Sequence, residues 1–265
     1  MVRRHERTAF MGGAHVFPGG RVDAADREAA QVDDTWCDGI AHAAAQLAGM
    51  PEVEAVAYHV AAARELFEEA GVLLARDPGG DFVSLASAGD HQRFKQYRSD
   101  VHGGAATLRD VLVGERLRLA LDTLVHFAHW VTPPSDTRRF DTRFFMTRVP
   151  PLQTPAHDET ETTHSSWVTA AGAIAKAKAD EIILPPPTWM TVREIEPFAS
   201  VDAALGWARA REVVRREPKL IEQNGQRVLV MPGDPEHPDR PDPADRRRSE
   251  TRFVWTDRRW RAISV

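Results

Sequence analysis

The sequence predicts an α/β fold with a C-terminal β extension, and three observations lead there. Val56, Val60, Ala63, Phe67 and Ala70 recur at helical spacing and form one apolar stripe, the mark of a buried helix. Residues 127–132 and 139–148 show strand-like alternation and aromatic enrichment, and they lie between further helical stretches. Near the C-terminus, residues 226–231 and 251–265 read as strands joined by a Pro-, Asp- and Arg-rich loop at 232–250, which is expected to be mobile.

Each element has a local reason. Phe17-Pro18-Gly19-Gly20 is a turn in which backbone can approach a ligand or metal. Residues 41–47 form a short helix bounded by Gly49-Met50-Pro51, the striped helix stops at Gly71, and residues 73–75 begin a strand. Helices over 90–100 and 107–113, interrupted by His102-Gly103-Gly104, embellish a substrate cleft. Pro133-Pro134-Ser135-Asp136 turns between the two aromatic strands, and residues 164–168 add another. Residues 170–179 and 188–207 are helical, with Pro197 dividing the latter, and 201–217 is amphipathic. No internal repeat is visible.

Composition narrows the function. At 265 residues the chain can bury a full core. Its net charge of −5 gives no global attraction to nucleic acid, and its 30 arginines against 4 lysines read as codon bias. A single cysteine, Cys37, excludes an internal disulfide framework and a cysteine-based zinc cluster. No apolar run approaches a membrane span and nothing resembles a signal peptide, so the expected location is the cytoplasm.

The chemistry concentrates in Arg64-Glu65-Leu66-Phe67-Glu68-Glu69-Ala70-Gly71-Val72. Glu65, Glu68 and Glu69 fall roughly opposite the apolar stripe. Three anions within one turn repel one another, so they add nothing to the helix by themselves. Either the face is solvated, the common meaning of such a cluster, or a hard divalent cation sits there.

Together with the Pro-Gly-Gly turn, these residues resemble the Nudix box, Gly-x5-Glu-x7-Arg-Glu-U-x-Glu-Glu-x-Gly-U, where U is a bulky aliphatic residue. Gly20 takes the first position, and Arg64 to Val72 match every specified position of the second half. Asp26 stands where the pattern has Glu, and 37 residues separate it from Arg64 where the pattern has seven, an insertion of 30. That insertion, the Phe-Pro-Gly-Gly entry and Arg138-Arg139-Phe140-Asp141-Thr142-Arg143-Phe144-Phe145 are similar to the branch containing the peroxisomal coenzyme A diphosphatases and their bacterial relatives. The similarity runs to about Thr191. It implies an α/β Nudix fold, a mixed β-sheet sandwiched between helices, with helical insertions. Such domains enter the glycine turn from a full strand, beside which Met1-Val2-Arg3-Arg4 reads as a strand lacking its first half, as a misassigned or trimmed start would leave it. A short strand there would cost stability. The expected domains are residues 1–217, with the box split at about 27–56, and an extension at 218–265.

The resemblance also implies roles. Glu65, Glu68 and Glu69, with the carbonyl of Gly19, would hold Mg²⁺ or Mn²⁺, and Arg64 would orient a box glutamate through a charge-assisted pair. Without the motif, Arg64 reads as an ordinary surface salt bridge. The general base is either Glu65 or a glutamate of the loop Ala156-His157-Asp158-Glu159-Thr160-Glu161, where Glu159 and Glu161 are also explained by an acidic surface turn. For substrate phosphates the candidates are Arg138, Arg139 and Arg143, of which Arg139 and Arg143 share a strand face. Structural salt bridges explain them equally well. Arg4 and the turn glycine Gly20 join the substrate-binding candidates.

The branch also carries Leu-Leu-Thr-x-Arg-[Ser/Ala]-x3-Arg-x3-Gly-x3 ahead of the turn. Gly13 and Arg4 match it, whereas Ala9 occupies its second Arg, His5 replaces Ser/Ala and Leu-Leu-Thr is absent. The implied reaction is metal-dependent hydrolysis of coenzyme A or an acyl-coenzyme A to 3′,5′-ADP and a phosphopantetheine. ADP-ribose, NADH or dinucleoside polyphosphates would need the same chemistry and a different pocket. A nucleotide-binding Nudix-fold protein without catalysis is the reading from another class. The partner set is a small-molecule nucleotide substrate and a possible homodimer mate, with no nucleic acid and no membrane. His126 and His129 differ by three along a strand and so face opposite sides. Trp130, Trp189 and the Phe144-Phe145 pair read as core, and Arg246-Arg247-Arg248 as a solvated charge run.

Overall fold

The structure, a computed structural model, describes residues 1–6, 11–31, 34–155, 162–238, 250–257 and 259–263. Its internal contacts divide the chain into two units, Met1–His126 with Phe145–Val168, and Phe127–Phe144 with Thr169–Val265.

In the first unit, β1 (Val2–Arg4) lies between β2 (His15–Val16) and β8 (Thr162–Ser165), antiparallel to both. The expected short first strand is thus the central one of its sheet. Next come α1 (Ala24–Gln31), β3 (Cys37–Asp38), α2 (Ile40–Gln46) and α3 (Glu52–Ala70). The whole predicted stripe on α3 is buried, Val56 and Phe67 at 1% exposure. Burial of such side chains contributes on the order of 2 kcal/mol each. Pro51 precedes the helix, and Gly71 at φ 66° ends it, its N–H bonded to the Phe67 carbonyl at 2.9 Å. Against α3 pack α1, α2 and α4 (Ala88–His102). Between α3 and α4, β4 (Ala75–Arg76) pairs antiparallel with β5 (Arg118–Ala120), which runs parallel to β3. Thr107 and Asp110 form a reciprocal capping box at α5 (Leu108–Gly114), which fixes its start where the sequence placed it.

A polar network holds α2 to α3 inside this unit. The Gln46 amide donates to the Leu124 carbonyl at 2.7 Å and lies 3.3 Å from His59 Nε2, and its oxygen accepts the His126 N–H at 2.6 Å. His59 Nδ1 bonds the Ala55 carbonyl at 2.8 Å, and its ring lies 4.6 Å from that of Phe145. Gln153 acts as a surrogate strand, bonding both the N–H and the carbonyl of Leu73 at 2.9 Å.

The second unit contains most of β6 (Val125–Val131) and β7 (Asp141–Met146), then α6 (Ala170–Lys178), α7 (Pro186–Ile195) and α8 (Val201–Ala210). Pro186 and Pro187 start α7, since proline's fixed φ suits a first helical turn. The helix expected over 188–207 breaks between Ile195 and Val201, around Pro197. The amphipathic run expected to 217 stops at Ala210. Arg215–Arg216 instead form β9, parallel to β6 with Trp130 opposite Arg216. Arg216 is 1% exposed, paired with Glu194 and stacked 5.2 Å from Trp130. Extended backbone delivers it to that buried carboxylate. The chain ends in an antiparallel meander of β10 (Lys219–Gln223), β11 (Gln226–Val230), β12 (Arg252–Thr256) and β13 (Arg259–Ile263). The sequence reading missed β10. Asn224 and Gly225, both at positive φ, make its two-residue turn into β11. The expected mobile loop and Arg246 to Arg248 fall largely outside the described residues. Among the described residues no helix is long and apolar enough to cross a membrane.

Burial holds the His59 imidazole neutral, pushing its pKa down to about 4, and His42 adds to this while the Ala55 carbonyl opposes it. The unfolded chain takes up the proton near pH 6.5. Stability is therefore unaffected above that value and falls as the pH drops from about 6.5 through about 4, by on the order of 3 kcal/mol. Urea unfolding of wild type and His59→Gln at pH 7.5 and 5.0 checks this. A flatter pH dependence is expected for the variant, and an unchanged slope would contradict it.

Candidate active site

Arg64 points from α3 into a cluster of carboxylates, and all of its donors are engaged. Nε and Nη2 donate to the two oxygens of Asp26 at 2.9 and 3.0 Å. Nη2 also donates to the Arg21 carbonyl at 2.9 Å, and Nη1 to Glu68 Oε1 at 2.8 Å and Glu65 Oε1 at 3.1 Å. Five such bonds exhaust a guanidinium. The Arg64 side chain is 11% exposed, Glu68 10% and Glu65 14%. Neither a solvated acidic face nor a surface salt bridge describes this arrangement. Burial opposes the charge on Arg64, but Asp26 and Glu68 outweigh it and hold the pKa above its ordinary value.

Asp26 is placed by its own helix. Asp23 and Asp26 cap the start of α1 reciprocally, each side chain accepting the other's backbone N–H at 3.0 Å. Burial pushes the Asp26 carboxyl upward, with Arg64 pulling the other way. The residue that departs from the box pattern is therefore the one that clamps Arg64, and its burial could not be seen from the spacing.

The remaining carboxylates meet the glycine turn. Glu69 Oε2 accepts the Gly19 N–H at 3.1 Å. A Cβ built on Gly20 would stand 2.1 Å from Glu65 Oε1, so that position admits a glycine and little else without moving Glu65. One turn and one helix face thus bring Gly19, Gly20, Glu65 and Glu69 together, as the motif implies. Among the described residues, no three His, Cys, Asp or Glu side chains converge as a preformed metal cage. The donor chemistry nevertheless suits a hard divalent cation. Asp26, Glu65 and Glu68 gather around a single guanidinium, with Glu69 beside them on the same helix, an imbalance that such an ion relieves.

The other candidates fall elsewhere. Arg4 is on β1, bonded through its backbone to Ala14 and Gly13, and its Nε is buried without a hydrogen-bond partner among the described residues. Arg139 and Arg143 belong to the second unit. Arg139 Nε donates to the Thr132 carbonyl and its Nη2 lies 3.7 Å from Glu217, while Arg143 bonds Asp141. Arg139 precedes β7, so the shared strand face expected for the pair is absent. His129 bonds Asp141 at 2.6 Å, whereas the His126 ring lies against Phe145. Trp130 and Trp189 are buried, as expected of core. Glu159 and Glu161 lie outside the described residues. The sequence reading missed Arg98 and His102 of α4, which reach Glu68: Arg98 Nε donates to its carbonyl at 2.6 Å, and His102 Nδ1 lies 3.4 Å from Oε2. No local signal links residues 30 or more positions apart.

Known proteins resemble this chain over most of its length. The profile of the NUDT19 Nudix domain matches residues 38–195, which include the whole of α3. A human protein named acyl-coenzyme A diphosphatase NUDT19 is 30% identical over 281 residues, spanning 88% of this chain and 70% of that protein. Its Gallus gallus namesake is 27% identical, spanning 91% and 73%. The crystal structure of a NUDIX hydrolase from Alicyclobacillus acidocaldarius superposes with a TM-score of 0.63 at 26% identity, covering 77% of this chain and 86% of that one.

Removing the hub strands its acids. Arg64→Met should cost about 3 kcal/mol or more at neutral pH, the scale of a broken buried pair. The loss should shrink as the pH falls and the carboxylates protonate. Chemical denaturation across pH measures it, and a loss under about 1 kcal/mol, typical of an exposed pair, would refute the buried-hub geometry.

Proposed function

This chain belongs to the Nudix hydrolases, in the family of the NUDT19 Nudix domain, and from that premise we propose that it hydrolyses the diphosphate bond of coenzyme A or an acyl-coenzyme A. The products would be 3′,5′-ADP and a phosphopantetheine or its acylated form. The observation that carries the substrate class is the extended similarity to proteins named acyl-coenzyme A diphosphatase, which spans 88% and 91% of this chain.

Nudix hydrolases act with divalent metal ions, and Mg²⁺ or Mn²⁺ is the proposed ion here. Glu65, Glu68, Glu69 and the Gly19 carbonyl would hold it. When bound, such an ion neutralises charge on the diphosphate and lowers the pKa of a water. Arg64 keeps Glu65 and Glu68 in fixed rotamers, which preserves the alignment that in-line attack requires. Glu65, set against Gly20, is one proposed general base, and the loop holding Glu159 and Glu161 supplies the other. Arg4, whose buried Nε has no hydrogen-bond partner among the described residues, is the arginine proposed to meet substrate.

Product analysis tests the reading. The purified chain is incubated with Mg²⁺ or Mn²⁺ and, separately, coenzyme A, acetyl-coenzyme A, ADP-ribose, NADH and diadenosine polyphosphates. Selective release of 3′,5′-ADP, abolished by EDTA, is expected. Cleavage of ADP-ribose, NADH or a dinucleoside polyphosphate instead would overturn the substrate and keep the chemistry. Glu65→Gln, Glu68→Gln and Glu69→Gln should each lower kcat by at least about 10²-fold. Near-normal turnover in all three would overturn the mechanism.

A further inference from the structure

Arg98 and His102 stand four residues apart on α4, so one face of that helix carries both. Both meet the same residue of α3. Arg98 Nε donates to the Glu68 carbonyl at 2.6 Å, in the last turn, where a helix leaves its own carbonyls without i+4 partners. His102 Nδ1 lies 3.4 Å from Glu68 Oε2, while Oε1 of the same carboxylate accepts from Arg64 at 2.8 Å. Glu68 is therefore held from both sides, by Arg64 of its own helix and by a helix whose Arg98 lies 30 residues further along the chain.

We propose that His102 is a positioning residue for the hydrolytic site. It fixes the Glu68 carboxylate from α4, and Arg98 anchors α4 to the end of α3 so that the imidazole arrives in register. The site's geometry thereby depends on a helix outside the box motif. The proposal rests on reading Glu65, Glu68 and Glu69 as the residues that hold the divalent ion. Partners that orient a ligating carboxylate are worth about 10- to 100-fold in metal affinity or activity.

The test uses the full chain and Mn²⁺ itself as the probe. Mn²⁺ affinity is read by electron paramagnetic resonance, and kcat and KM are measured with coenzyme A. His102→Ala should weaken Mn²⁺ binding and lower kcat by about ten-fold or more, with KM for coenzyme A within about two-fold of wild type. His102→Asn, which puts an amide near the position of Nδ1, should recover most of both. His102→Gln keeps the bulk but displaces the donor, so it should behave like the alanine variant, and it decides the matter if His102→Ala does not fold. Wild-type protein that binds no Mn²⁺ would overturn the metal reading and this role with it. Wild type that binds Mn²⁺, with His102→Gln binding equally tightly, would overturn the role of His102 alone.

Discussion

One guanidinium organises the first unit's chemistry. Arg64 gives its five N–H groups to Asp26, Glu65, Glu68 and the Arg21 carbonyl, so the start of α1, the segment after the glycine turn and the acidic face of α3 are tied to one group. Desolvating so many charges is costly, and the arrangement is tolerable only because each bond is made. The carboxylates that remain in excess suit the cluster chemically to a cation as well as to its role as a structural joint.

The box is assembled across an insertion of 30 residues, and the structure shows why this is tolerated. The insert folds largely as α1 and α2, both packed on α3, with Ala29, Trp36, Cys37 and Ala43 joining the same core cluster as Val56 and Phe67. Lengthening a connection costs little by loop-closure entropy, and here the added chain returns apolar burial and the Gln46 network. Asp26 sits at the near end of that insert, which brings the split motif back together at Arg64.

Much of this was legible beforehand because it is periodic or local. The α3 stripe, the Gly71 stop and the helix expected over 107–113 are short-range signals, and the structure keeps all three. Legibility failed where partners are distant or the element is tiny. Nothing near Arg216 announces that Glu194 will bury it, so an amphipathic run was expected where β9 forms. Strands of two residues, such as β2 and β3, carry no alternation to read. The Asn224-Gly225 turn is a readable hairpin signal, yet only the strand after it was expected. At the site, the carboxylates and the glycine turn were visible as a motif, while the burial of Asp26 and the approach of Arg98 and His102 depend on tertiary packing.

The central claim is that the acids gathered by Arg64 form a divalent-cation site against the Gly19–Gly20 turn. The most direct measurement is an anomalous difference map from crystals of this chain grown or soaked with Mn²⁺. The account predicts a manganese peak bounded by Glu65, Glu68, Glu69 and the Gly19 carbonyl, with the Arg64–Asp26 pair intact. Manganese bound elsewhere, with these carboxylates bonded only to protein groups, would contradict it.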